Sequence, residues 1–369
     1  MTSSDKRDSK GASAPATGTL YLYSGAGNTF VVLDGRSGFP TDSVDIVGLC
    51  VKYSTDGLMI LRDGNYYNGA STAPDGRGDT RPGYSGTAYD FAMEFFNPDA
   101  SGGMMCGNGG RCIVAFADYL GLRPADGKVY RFVAGDGEHT GEILSVTPDS
   151  SVSPYMTEGL PTHHLPAADG VVKTVRIKMI DVREFHPALD GWFVDTGTRH
   201  FVNFVQDIEG FDIEAEGKRY RWAPEFAPVG ANANFVKVDT ASQDTPNSPH
   251  LTVRTFEKGV EGETLACGTG ITASAIAAWL SGVVPTSSPE TESTCARKSA
   301  ESEGKVSYEI RAREDDLRVD FHPIFRLDPG DAPNPTATAT GEAPSTPLRV
   351  DRFEDVYLTG PAKLYCIID

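Results

Sequence analysis

The sequence predicts an α+β protein of two similar lobes facing a cleft, because one order of events occurs twice along it. In each half a strand runs into a Cys-Gly-x-Gly segment, that segment opens a small-residue apolar helix, and further strands follow. The first copy is Met105-Cys106-Gly107-Asn108-Gly109-Gly110-Arg111-Cys112, leading into an apolar stretch at 113–120. The second is Ala266-Cys267-Gly268-Thr269-Gly270, leading into 271–280. At 369 residues the chain is long enough for two such units of about 150 residues each.

Order is expected to begin with a strand at 19–23, which enters the turn Ser24-Gly25-Ala26-Gly27-Asn28 and returns as a strand at 30–33. Residues 45–53, apolar at i, i+1 and i+4, predict a short helix, and 58–62 a buried strand. Gly-, Pro- and Asp-rich residues 64–88 lack any period and read as a surface loop. A strand at 90–96 turns at Asn97-Pro98-Asp99 toward the first cysteine, and 129–133 with 142–146 reads as a hairpin. A Pro- and Ser-rich linker covers 150–169. In the second half strands are expected at 171–180, 191–194, 200–205, 234–238, 251–256, 305–311, 316–321, 356–358 and 363–367. Segments 285–304 and 329–347 are Ser/Thr/Glu/Pro-rich insertions. The division that follows is a disordered tail at 1–18, one lobe at 19–150 plus 352–369, and a second at 151–351.

Composition excludes several classes. A net charge of −18 with no basic stretch argues against a nucleic-acid partner. The mean hydropathy of −0.28, with no apolar run approaching the roughly 20 residues of a membrane span, argues against a membrane one. Residues 1–19 lack the apolar centre of a secretory signal. Six cysteines in so long a chain read as reduced thiols, which makes the cytoplasm the expected compartment.

Each motif cysteine stands where a helix starts. Unpaired amides and the helix dipole there are expected to lower the thiol pKa into a range of roughly 3.5–7.5. If the two lobes face each other, Cys106 and Cys267 flank one bound carbon, while the amides of Gly107, Asn108, Gly268 and Thr269 converge on a carboxylate. One thiolate removes an α-proton, the other thiol delivers one from the opposite face, and the stereocentre inverts. Cofactor and metal are both expected to be absent. No Walker-type loop is present, the Cys106–Cys112 spacing does not suit zinc, and Gly25-Ala26-Gly27 lacks the third glycine of a dinucleotide turn. Cys50, Cys112, Cys295 and Cys366 read as inert.

These residues resemble the diaminopimelate epimerase family of pyridoxal-phosphate-independent, two-cysteine amino-acid epimerases. The resemblance rests on Gly25-Ala26-Gly27-Asn28-Thr29-Phe30, Phe96-Asn97-Pro98-Asp99-Ala100-Ser101, the two cysteine segments, Glu263-Thr264-Leu265-Ala266 and Thr359-Gly360-Pro361-Ala362. It implies an α/β roll, each lobe wrapping a largely antiparallel sheet around one central helix, with the active site between the lobes. It also implies Cys106 and Cys267 as bases, and His200 and Glu257 as residues that tune their pKa values. Asn28, Asn97, Gly107, Asn108, Thr198, Asn232, Glu257, Lys258, Gly268 and Thr269 are implied as substrate contacts.

Three positions depart from the family pattern. Thr29 stands for the usual Asp, Thr198 for an Asn, and Lys258 for an Arg expected to grip a distal carboxylate with a two-pronged fork. The implied reaction interconverts LL- and meso-diaminopimelate in lysine and cell-wall precursor synthesis, carried out by a homodimer. Thr198 and Lys258 leave open a racemase of another amino acid, such as histidine, on the same scaffold. A non-catalytic amino-acid-binding or redox protein is the remaining alternative.

Overall fold

Local chemistry sets the first half of the chain. β1 (Leu20–Gly25) and β2 (Asn28–Asp34) form a hairpin whose two turn residues both take positive φ, Ala26 at 54° and Gly27 at 87°. That turn matches the natural twist of paired strands, and it leaves Asn28 at the head of β2. α1 (Ile46–Tyr53) starts at Asp45, whose carboxylate accepts from the Gly48 N–H at 2.9 Å. Then come β3 (Gly57–Arg62), β4 (Phe91–Phe96), α2 (Gly107–Tyr119), β5 (Val129–Ala134), β6 (Gly137–Pro148) and β7 (Val171–Lys178). The rest comprises β8 (Glu184–Ala188), β9 (Gly191–Asp195), β10 (Arg199–Phe204), α3 (Ile213–Arg221), β11 (Asn232–Val238), β12 (Leu251–Glu257), β13 (Gly262–Thr264), α4 (Gly268–Leu280), β14 (Val306–Arg311), β15 (Asp316–Leu327) and β16 (Leu348–Ile368).

The computed structural model describes residues 18–36, 40–67, 89–102, 105–149, 165–239, 251–283, 304–327 and 348–369. The expected tail, most of the 64–88 loop, most of the 150–169 linker, nearly all of the two insertions, and Cys295 lie outside the described residues.

One continuous sheet runs β1-β2-β3-β4-β5-β6-β7-β16-β15-β14-β12-β11-β10-β9-β8, with β13 paired to β12. β1 also pairs with β16, so the strands from β1 to β7 close on β16. Pairing is antiparallel except at β2–β3, β4–β5, β10–β11 and β12–β14. α2 packs against β1, β2, β3, β6, β7 and β16, inside that closure. α4 packs against β9, β10, β11, β12, β14, β15 and β16.

Both central helices have the same length and the same reason for being central. Residues Gly107–Ala117 of α2 are all buried, and α4 is buried over Gly268 and Gly270–Ala278. A helix buried all round needs small side chains wherever strands approach closely, and Gly, Ala and Ser supply them. Leu358 of β16, fully buried, lies beneath both helix starts. A methyl group added to Gly107 would come within 3.0 Å of its Cδ2, and one added to Gly268 within 2.9 Å.

The elements differ from the sequence expectation in several places. α3, which the sequence reading leaves unassigned, is a short charged helix capped by Asp212, whose carboxylate accepts from Ala215 N–H. Its inward residues Ile213, Gly217 and Tyr220 join Phe193, Phe201, Phe226, Phe235 and Phe256 in a satellite core. β8 and β13 are likewise additional, and β15 runs on past residue 321. The two expected C-terminal strands are one, β16, because Thr359 to Ala362 keep extended pairing with β7. β7 itself, expected in the second half, pairs with β6 and packs on α2.

Leu358→Ala is expected to destabilise the protein by about 2–5 kcal/mol, since it opens a cavity under both helix starts. Urea unfolding followed by circular dichroism measures this. A loss below about 1 kcal/mol would mean the site is not packed as described.

Candidate functional site

The two Cys-Gly-x-Gly segments meet. Cys106 is the residue preceding α2 and Cys267 the residue preceding α4, both in extended backbone conformation. A Cβ on Gly268 would lie 3.5 Å from the Gly107 Cα, so the helix starts touch backbone to backbone. Asn108 ties them further: its Nδ2 donates to the Ala266 carbonyl at 3.1 Å and to Asn28 Oδ1 at 2.5 Å.

Both cysteines open onto one cleft of about 1470 Å3. Asn28, Asn97, Cys106, Gly107, Thr198, Glu257, Lys258, Cys267, Gly268 and Thr269 all line it. These residues come from the β1–β2 turn, the end of β4, both helix starts, the β9–β10 turn and the end of β12. Three expected contact or tuning residues stand behind the wall instead. Asn108 and His200 are fully buried, and Asn232 is 5% exposed. The Asn232 amide clamps backbone: Nδ2 donates to the Arg199 carbonyl at 3.1 Å, and Oδ1 accepts from the Lys258 N–H at 2.8 Å.

Lys258 projects from the turn so held. Its exposed ammonium has no hydrogen-bond or ion-pair partner among the described residues, although it lines the cleft. Asn97 is held by the turn 97–101, donating from Nδ2 to Ser101 Oγ at 2.9 Å. Thr29 donates its backbone N–H to Asp56 Oδ2 at 2.7 Å, so a carboxylate still occupies this corner although the chain has no Asp at 29.

A family model described as Diaminopimelate epimerase matches residues 192–313. The diaminopimelate epimerase of Chlorobaculum tepidum is 35% identical over 273 residues, covering 72% of this chain and 84% of that protein. That of Aquifex aeolicus is 34% identical over 277 residues, covering 72% and 82%. The chain belongs to the diaminopimelate epimerase family. It is thereby an isomerase. Among solved structures, a PhzF-family phenazine biosynthesis protein of Bacillus anthracis matches with a TM-score of 0.55 at 12% identity, over 95% of this chain and 98% of that one. A probable proline racemase of Agrobacterium radiobacter K84 matches with a TM-score of 0.50 at 12% identity, over 96% and 92%. At that identity the likeness is one of fold: an α/β epimerase type built on a closed sheet.

The electrostatics correct one sequence expectation for the two motif thiols. Burial pushes both sulfurs up from the ordinary value rather than leaving them low. At Cys106 the amides of Gly109 and Asn108 and the Arg111 guanidinium oppose burial, while the Glu257 carboxylate adds to it. At Cys267 Glu257 again adds to burial, and the Thr269 hydroxyl and Gly270 amide oppose it. Desolvation of a thiolate outweighs two or three amide dipoles. Each sulfur therefore senses Glu257, and Cys267 also senses Cys106. Glu257 is itself raised, first by burial and then by Asp56.

His200 is neutral: burial holds its pKa down at about 3. It cannot lower a thiol pKa through charge, and acts through hydrogen bonds to Thr198 Oγ1 at 2.8 Å and Thr269 Oγ1 at 3.0 Å. The other described thiols lie away from the cleft lining. Cys50 and Cys112 are buried, Cys366 is half-buried, and Cys112 is pushed up to about 12 by desolvation. Among the described residues no helix is long and apolar enough to cross a membrane, and no group of three His, Cys, Asp or Glu is placed to hold a metal.

Sequence reasoning assigns no task to Arg111 or Asn234. Arg111 is fully buried without a carboxylate partner at ion-pair distance among the described residues, and donates to Asn108 Oδ1 at 2.8 Å. That contact fixes the amide which joins Asn28 to Ala266. Its place inside Cys106-Gly107-Asn108-Gly109-Gly110-Arg111 was the available signal, since a charge on a helix that is apolar all round must serve something.

Alkylation by iodoacetamide checks the thiol environment. A raised pKa keeps a thiol protonated at neutral pH, so alkylation at Cys106 and Cys267 should be slow at pH 7 and still rising beyond about pH 9. Peptide mass spectrometry reads each site separately. A plateau reached below about pH 8 would mean the helix amides win.

Proposed function

We propose that the protein interconverts LL- and meso-diaminopimelate without a cofactor, by two-base chemistry at Cys106 and Cys267. The observation that carries this is the meeting of the two helix starts at Gly107 and Gly268, each preceded by a cysteine on one cleft. The relatives at 34–35% identity, all diaminopimelate epimerases, support the choice of substrate.

In this reading the amides of Gly107, Asn108, Gly268 and Thr269 receive the α-carboxylate. They stabilise the negative charge that builds as the α-proton leaves. One sulfur, as thiolate, takes the proton, and the other, as thiol, returns one to the opposite face. The two exchange roles according to the isomer bound. Burial raises both thiols in the open cleft, so the cationic α-ammonium of the substrate helps the attacking sulfur ionise on binding. Glu257 faces both sulfurs and holds that ammonium. Asn28 and Asn97 bind the polar ends of the substrate, Thr198 contributes a hydroxyl, and Asn232 acts from behind the wall by clamping the Lys258 turn. Lys258, whose ammonium has no partner among the described residues, takes the distal carboxylate.

We also read the fold as two pseudo-symmetric lobes with the site between them. Residues 19–150 with 352–369 make one and 151–351 the other, β7 crossing over to complete the first sheet. A homodimer in the cytoplasm, serving lysine and peptidoglycan precursor synthesis, completes the proposal. Lys258 favours a second reading. A single ammonium grips a carboxylate less specifically than a guanidinium fork, which suits a racemase of another amino acid.

Deuterium wash-in from heavy water tests the reaction. Diaminopimelate is expected to gain deuterium at its α carbon, while Cys106→Ser and Cys267→Ser each lower net epimerisation by about a thousandfold or more. Full activity in either variant would overturn the two-base assignment. Lys258→Ala should raise KM for diaminopimelate about tenfold with kcat little changed. Turnover of a mono-carboxylic amino acid in preference to diaminopimelate would favour the second reading.

A further inference from the structure

Behind Cys267 lies a hydrogen-bond chain whose direction the fold determines. It starts at Asn234 of β11, fully buried. Asn234 Nδ2 donates to the Phe201 carbonyl at 3.0 Å, and its Oδ1 accepts from Thr255 Oγ1 at 3.0 Å. A backbone carbonyl can only accept, so the amide cannot be flipped without placing two oxygens against each other. The second hydrogen of Nδ2 then points at His200 Nδ1, 3.1 Å away. That nitrogen must be the acceptor.

A neutral imidazole with Nδ1 accepting carries its proton on Nε2. Nε2 lies 2.8 Å from Thr198 Oγ1 and 3.0 Å from Thr269 Oγ1. Thr198 Oγ1 donates to Thr269 Oγ1 at 3.0 Å, and Thr269 Oγ1 lies 3.4 Å from Cys267 Sγ. With the imidazole and Thr198 both donating inward, the one hydroxyl hydrogen of Thr269 is left for the sulfur.

We propose that Asn234 is a positioning residue: it locks His200 in the Nε2–H tautomer, so that Thr198 and Thr269 form a one-way chain donating to Cys267 Sγ. The proposal rests on the two-base reading and adds to it an asymmetry between the bases. The sulfur of Cys267 as thiolate receives a fixed O–H donor. As thiol it finds Thr269 already oriented as donor, so its own S–H turns from that hydroxyl toward the cleft. Cys106 has no such chain among the described residues and is served by the Gly109 and Asn108 amides instead. The charged and titratable groups that act on Cys267 are Glu257 from β12 and Cys106 from the start of α2, and neither belongs to the chain. Thr198, the departure from the family pattern, here supplies a link that both accepts and donates.

The test begins with the unaltered protein. Nitrogen-15 NMR of histidine-labelled material should show His200 as the neutral Nε2–H tautomer at pH 7. An Nδ1–H tautomer or an imidazolium would overturn the proposal. Asn234→Asp offers Nδ1 an acceptor in place of a donor, which should convert His200 to the Nδ1–H tautomer, so that Nε2 becomes an acceptor and withdraws the Thr269 hydrogen from sulfur. In a Cys106→Ser background, alkylation of Cys267 at about pH 9 should then slow by about tenfold. In the otherwise unaltered enzyme, kcat should fall by about tenfold or more with KM changed less than about threefold. Thr269→Val, which removes the hydroxyl that reaches the sulfur without touching β11, should reproduce the slower alkylation while leaving the His200 tautomer unchanged. Unaltered alkylation in both variants would overturn the chain. Because the tautomer and alkylation measurements need no substrate, they stand apart from the diaminopimelate wash-in, whose failure would sink the reaction instead.

Discussion

The close approach of two helix starts governs the rest of this structure. α2 and α4 bring Gly107 and Gly268 together over the single side chain of Leu358, and neither position has room for a Cβ without displacing it. Glycine at both places is a packing requirement first. In the proposed reading the same absence of side chains opens backbone N–H groups at both helix starts to the cleft, where an anion is favoured. β16 makes this arrangement possible, since it pairs with β1, β7 and β15 and carries Leu358 to the point where the helices meet.

Around that point, charge and burial oppose one another. The cysteines stand where helix dipoles favour a thiolate, yet the enclosure that aligns them raises both pKa values. The neighbouring groups tip the balance differently at each sulfur. Amide groups and the buried Arg111 act on Cys106, whereas a hydroxyl chain ending at Thr269 acts on Cys267, and Glu257 opposes ionisation at both. Two sites that look equivalent as motifs are therefore unequal in chemistry. An enzyme running a reversible inversion needs its bases matched in strength, and it can reach that match with unlike parts.

Much of this was legible in the chain. The duplicated Cys-Gly-x-Gly units announced both central helices, because glycine and alanine in a run with few large side chains suit a helix surrounded by strands. The strands at 58–62 and 251–256 were plain from their apolar and β-branched residues. α3 was missed because its charged composition hides a stripe of four inward residues, one of them Arg221, although Asp212 is an ordinary helix cap. The sign of the thiol shifts was also missed, since a helix start is local and readable whereas burial depends on strands far off in sequence. The roles of Asn232 and Asn234 follow the same logic. Both occur in one short segment, and only strand register shows that one clamps the Lys258 turn while the other orients His200.

Mild oxidation followed by non-reducing peptide mapping tests most directly whether the two sulfurs address one carbon. Groups close enough to share a substrate atom can pair with each other. A linked peptide pair containing Cys106 and Cys267 is expected, with activity lost on oxidation and restored by reductant. Both cysteines remaining separately alkylatable after full oxidation, with turnover intact, would contradict it.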